Sequence, residues 1–171
     1  MSLKKFAVIP LIIGLLALLI QVVDQSIMQY VLPEGNKGFG WIAFQSWALY
    51  FLAGCNIQGG IKVFLGYIAG IVGSIAIIEL GSAIPQLGFF AFPVAVGTVA
   101  FAIIFLEKAV WLSLIPAIFI ASGAFFAFMN YVPGATYCNA FATEMIYCVI
   151  GLIFGVVTVA LRVAYENKVK E

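Results

Sequence analysis

Apolar residues in this chain run in six long stretches, punctuated by glycine, proline and charge. A helix that crosses a bilayer needs about 20 apolar residues at a rise of about 1.5 Å each. The stretches Phe6–Leu32, Gly38–Gly54, Ile61–Leu80, Leu87–Leu106, Ala109–Met129 and Ala140–Arg162 predict an all-α membrane protein, one domain of six transmembrane helices. The second is short, and the first is long enough to tilt or protrude. Pro33-Glu34-Gly35-Asn36-Lys37 reads as a turn, and Cys55 to Gly60 as a glycine-rich reversal. Pro85 stops the third helix from running on. Glu107-Lys108 is the only break between the fourth and fifth stretches, which predicts a tight hairpin there. Asn130 to Asn139, with Pro133-Gly134, is the longest expected loop, and no internal repeat is evident.

Composition agrees with this reading. The chain is 65% hydrophobic and 9% charged, where soluble domains carry about 25% charged residues. So much apolar surface must face lipid. The N-terminus starts as a signal peptide does, with Lys4-Lys5 before the apolar run from Phe6 to Ile20. No small-x-small cleavage site follows, so it reads as an uncleaved first helix. A net charge of +1 gives no reason to expect nucleic acid as a partner. The chain has no histidine, so imidazole-ligated metal or haem and His-dependent catalytic triads are excluded. No cofactor, metal site or enzyme activity is expected. Cys55, Cys138 and Cys148 have no metal-ligand spacing and read as inert.

Basic residues orient the bundle, because Lys and Arg are retained on the cytoplasmic side. With the N-terminus inside, six spans place Lys4, Lys5, Lys62, Lys108, Arg162, Lys168 and Lys170 in the cytoplasm and only Lys37 outside. Both termini are therefore expected in the cytoplasm.

Small residues mark helix contacts in lipid, where no hydrophobic drive brings helices together. Gly66-x-x-x-Gly70-x-x-x-Ser74, Ala117-x-x-x-Ala121 and Gly151-x-x-x-Gly155 are the candidate packing ridges, within one chain or between copies. Pro93 and Pro116 predict kinks that free the carbonyls of Phe89 and Leu112.

Polar residues inside the membrane are the candidate functional groups, because their placement there is costly. Gln21, Asp24, Gln25 and Met28 share one face of the first helix by spacing. Gln45 and Ser46 sit within the second helix, Glu79 near the outer end of the third, and Glu144 in the first outer turns of the sixth. With Asp24, these acids would make an acidic external mouth that concentrates cations. Gln21, Asp24, Gln45, Ser46, Glu79 and Glu144 are thus expected along a solute path. Phe89, Phe92, Phe125 and Phe128, all placed near the outer interface, would form an apolar constriction. The plainer expectation for these rings is lipid contact and helix packing.

The string Trp47-Ala48-x-Tyr50-Phe51, then Gly54-Cys55 and Gln58-Gly59-Gly60-x-Lys62, resembles the YcdZ-like family. So do Gly81-Ser82-x-x-Pro85-x-Leu87, Gly97-x-Val99-Ala100-Phe101, Pro116-Ala117-x-Phe119-Ile120 and Ile150-Gly151-Leu152-Ile153-Phe154-Gly155. The resemblance spans roughly Gly38 to Arg162 and implies a bacterial inner-membrane location with no established activity. A compact bundle without a nucleotide motif or catalytic set points to a small-solute channel or facilitator. Its expected solute is small, polar and neutral or cationic, of the urea, amide, ammonium or amine class. A homo-oligomer with the third-helix ridge at the contact is the expected assembly. The alternative is an accessory membrane subunit that binds a partner protein and carries out no transport.

Overall fold

The computed structural model describes residues 3–31 and 38–170. A single turn, Leu3–Phe6, leads into α1 (Val8–Val31). There follow α2 (Gly40–Leu52), α3 (Ile57–Ala83), α4 (Ala91–Ile104), α5 (Ile115–Tyr131) and α6 (Tyr137–Lys170). Tight 3-10 turns, Pro85–Phe90 and Phe105–Lys108, flank α4. No strand occurs among the described residues. The predicted turn from Pro33 to Lys37, with Leu32, lies outside them.

Four stretches are long and apolar enough to cross a membrane: Leu3–Val31, Ile57–Ala83, Pro85–Lys108 and Tyr137–Val169. α5 has 17 residues, about 26 Å of helix. α2 has 13, about 20 Å, which is shorter than a hydrocarbon core of roughly 30 Å. α2 nevertheless carries the chain along the bundle. α1 ends where the Val31 carbonyl accepts from Thr143, and α3 begins among Val149, Leu152 and Val156 of α6.

Several boundaries differ from the sequence reading for local reasons. The third helix starts at Ile57, within the expected Cys55–Gly60 reversal, because Asn56 caps it by accepting from the Gly59 amide. The fourth starts at Ala91 after a 3-10 turn. The fifth helix starts at Ile115 because Pro116 occupies its first turn, where a missing N–H costs nothing. Residues 105–114 therefore form a broken connection in place of the expected tight hairpin. Pro116 makes no kink, and Leu112 lies outside any helix. Pro93 likewise stands in the first turn of α4. The sixth helix starts at Tyr137 because Thr136 and Asn139 cap it reciprocally. The Asn139 N–H donates to Thr136 Oγ1 at 3.2 Å, and the Thr136 N–H donates to Asn139 Oδ1 at 2.7 Å. The expected long loop shrinks to residues 132–136. At its far end α6 continues past the apolar stretch, helped by an Arg162–Glu166 pair one turn apart, at 2.8 Å.

The helices group into two packing units. In one, α6 packs along α2 and α1. α2 runs parallel to α6, with Ala43 against Gly151 and Tyr50 against Gly155. α1 runs antiparallel to α6: Tyr165 donates to the Lys5 carbonyl, Tyr147 to Asp24 and Thr143 to the Val31 carbonyl. The two ends of the chain therefore lie side by side. In the other unit, α3 packs along α5 and α4. α5 is parallel to α3, with Gly66 on Ala117 and Gly70 on Ala121, and α4 is antiparallel, with Gly73 on Ile103 and Gly81 on Phe92 and Ala95. The Ser122 hydroxyl donates to the Gly70 carbonyl at 3.0 Å, tying α3 to α5. All three glycine and alanine ridges thus serve contacts within one chain. The third-helix ridge is buried under α5 within this one chain.

The two units are related by an inverted repeat that the sequence reading missed. Exchanging α1 with α4, α2 with α5 and α3 with α6 carries the first unit onto the second. Parallel α2/α6 becomes parallel α5/α3, and antiparallel α1/α6 becomes antiparallel α4/α3. The α3/α6 and α2/α5 contacts map onto themselves, and α2/α3 maps onto α5/α6. The contact of α1 with α2 is the one that α4 and α5 do not repeat to the same extent.

Local structure recurs at a spacing of 80 residues. Gly54 and Gly134 both take a positive φ, +96° and +73°, after α2 and α5. Asn56 and Thr136 both cap the next helix by accepting from the amide three residues on. A side-chain amide donates back to each glycine carbonyl, from Asn56 to Gly54 and from Asn139 to Gly134. Tyr67 and Tyr147, wholly buried, complete the set.

Candidate functional site

The two units meet where α3 crosses α6. Tyr67 stands on α3 with 0% exposure, about 15 Å from the start of its helix. On the facing part of α6, Thr143, Glu144, Tyr147 and Cys148 are all buried. Glu144 and Cys148 lie within electrostatic reach of Tyr67.

These polar groups divide into satisfied and unsatisfied ones. Thr143 Oγ1 donates to the Val31 carbonyl at 3.1 Å, and the Tyr147 hydroxyl donates to Asp24 Oδ1 at 2.5 Å. Both bonds join α6 to α1. Glu144 is 1% exposed, and neither of its carboxyl oxygens has a hydrogen-bond partner. The Tyr67 hydroxyl has none either. A buried polar group without a partner costs roughly 1–3 kcal/mol, and more if charged, so two together mark a place held for something other than stability.

The expected solute-path residues do not form one external mouth. Asp24 is buried against Gly38 and Gly40 and bonded to Tyr147, while Gln21 points outward. Glu79 is exposed and accepts from the Tyr137 hydroxyl at 2.7 Å, tying α3 to α6. Ser46 is buried and donates to the Ala43 carbonyl of its own helix, beside Gly151. Gln45 is half-buried, and its Oε1 is unpartnered. Asp24 and Glu79 are each bonded to a different tyrosine of α6, the helix that carries Glu144. No group of three His, Cys, Asp or Glu side chains among the described residues could hold a metal.

The expected constriction does not form either. Phe125 and Phe128 are buried in the core, Phe125 against Tyr137 and Phe128 against Phe39. Phe89 and Phe92 are 85% and 51% exposed and face outward. Phe92 instead meets Phe126 across α4 and α5, beside an open groove of about 470 Å³ that Gly81, Ser82 and Asn130 also line. Tyr67 and Tyr147 were not singled out by the sequence reading, and Cys148 was read there as inert. The one signal in the sequence is the 80-residue interval between the two tyrosines, visible only once the matched glycines and caps are known.

Comparison with known proteins adds a family and nothing finer. The sequence profile of a family described as a protein of unknown function (DUF1097) matches residues 10–163. No curated protein matches the chain, and no solved structure does.

Proposed function

The chain belongs to the DUF1097 family, and from that premise we propose that it is a facilitator for a small polar solute in a bacterial inner membrane. The solute is neutral or cationic, of the urea, amide, ammonium or amine class. Both termini lie in the cytoplasm, because six of the eight basic residues then sit at the cytoplasmic ends of described helices or their caps, with Lys170 at the end of α6 and Lys37 outside.

One observation carries this reading. Two oppositely oriented three-helix halves meet at a buried contact that holds unpaired Glu144 and Tyr67. Many membrane carriers share this plan, with sites near mid-membrane between inverted repeats, and they work by rocking one unit against the other. The contact between the units is buried at Tyr67 and Tyr147, with no open way through it among the described residues. Passage therefore requires the α1/α2/α6 unit and the α3/α4/α5 unit to part on alternate sides. The contacts within each unit are more extensive than those between them, which suits movement as rigid bodies.

The test is flux through liposomes containing the purified protein. Stopped-flow light scattering on inward gradients of urea, acetamide or methylammonium should show faster volume recovery than in empty liposomes. Equal rates for all three solutes would overturn the reading and favour an accessory subunit that holds a partner protein.

A further inference from the structure

We propose that Glu144 is a proton-carrying site that couples solute movement to protons. The inference rests on the facilitator reading and adds to it a bound species. Glu144 lies on α6 at the contact between the two packing units, within electrostatic reach of Tyr67 of α3, so a parting of the units changes its surroundings. Both of its oxygens are buried and unpartnered, as is the Tyr67 hydroxyl. With the units closed, the carboxyl keeps its proton. When they part on one side, water reaches it and the acid releases the proton to that water. When the units part on the other side, water there returns a proton to the carboxylate before they close again.

The surroundings select a proton over a metal cation. A hard cation needs several oxygen ligands. Among the described residues, the titratable groups facing Glu144 are the Tyr67 phenol and the Cys148 thiol. From α1, Asp24 is engaged by Tyr147. On α3, Lys62 is bonded to Ser113 and Glu79 to Tyr137. α4 contains no titratable residue, and those of α2 and α5 are Tyr50, which faces Gly60 and Gly155, and Tyr131, which is 84% exposed. Among the described residues no second acid or base is bonded to Glu144.

Infrared spectroscopy of the purified protein tests the site without requiring transport. At neutral pH the protein should show a protonated-carboxyl stretch that Glu144→Gln lacks and that converts to a carboxylate band as pH rises. A spectrum unchanged by Glu144→Gln would overturn the proposal. Loss of the band on adding sodium chloride at fixed pH would also overturn it, in favour of a metal site. In liposomes, an imposed pH gradient should drive methylammonium or acetamide accumulation by the parent, and Glu144→Gln should abolish that driven component. A titrating band with flux that ignores the gradient would overturn coupling while leaving the facilitator reading intact. A titrating band with no flux at all would overturn both the coupling and that reading.

Discussion

Tyr147 reaches from α6 to Asp24 on α1 and donates to its Oδ1 at 2.5 Å, with Gly38 and Gly40 packed against the same carboxylate. This makes Asp24 a tie between helices. Asp24→Asn keeps an acceptor oxygen and should fold and carry solute as the parent does. Asp24→Leu should lower stability by about 1 kcal/mol, in line with measured interhelical hydrogen bonds in membranes. Thermal unfolding in detergent, followed by tryptophan fluorescence, checks the order parent, Asn, Leu.

The inverted repeat places its two matched turns at opposite ends of the bundle. Cys55 lies in the first and Cys138 just after the second, and both are exposed, whereas Cys148 is buried. A membrane-impermeant maleimide added to intact cells should label Cys138 and spare Cys55. Inside-out vesicles should reverse the pattern, and Cys148 should react only after denaturation. Labelling of both exposed cysteines from one side would break the inverted arrangement.

Close helix contacts make some glycines intolerant and leave others free. A β-carbon at Gly70 would lie 2.8 Å from Ala121 Cβ, and one at Gly66 2.7 Å from Ala117 Cβ. At Gly151 it would overlap the Ala43 carbonyl and the Ser46 hydroxyl. Valine at any of the three should cost about 1–3 kcal/mol or prevent folding. Gly123 has nothing within 4 Å of such a carbon, and Gly123→Ala should be neutral or gain up to about 1 kcal/mol. Size-exclusion thermostability of the four variants separates the outcomes.

Reporter fusions check the orientation. Green fluorescent protein joined after Glu171 should fluoresce, and alkaline phosphatase at the same point should be inactive. Alkaline phosphatase joined after Asn36 should be active. The opposite pattern would invert the bundle and place Lys62, Lys108 and Arg162 outside.

Hydropathy made the six helices legible because lipid-facing surface such as that of Phe101, Val94 and Ile153 has to be apolar. It misplaced ends that depend on chemistry it cannot register. The reciprocal cap of Thr136 and Asn139 starts α6 early, and charged residues up to Lys170 prolong it. Spacing also put Gln21 and Asp24 on one face, whereas tertiary packing buries only Asp24. Glu144 stands out in the sequence as a costly acid, but Tyr67 across the contact does not. Tyr67 looks like an ordinary aromatic until α3 is laid on α6. The repeat stayed hidden because the halves share backbone geometry at Gly54 and Gly134 and few side chains.

Each half of the sequence packs its first two helices on the third helix of the other, and this sets an order of events during synthesis. α1 enters the bilayer first, yet its buried residues Ile9, Leu16, Ile20 and Asp24 face a helix made last. Until Tyr147 emerges, the Asp24 carboxylate has no phenol to bind. A chain that stops before α6 therefore lacks the phenol that engages Asp24 in the complete bundle.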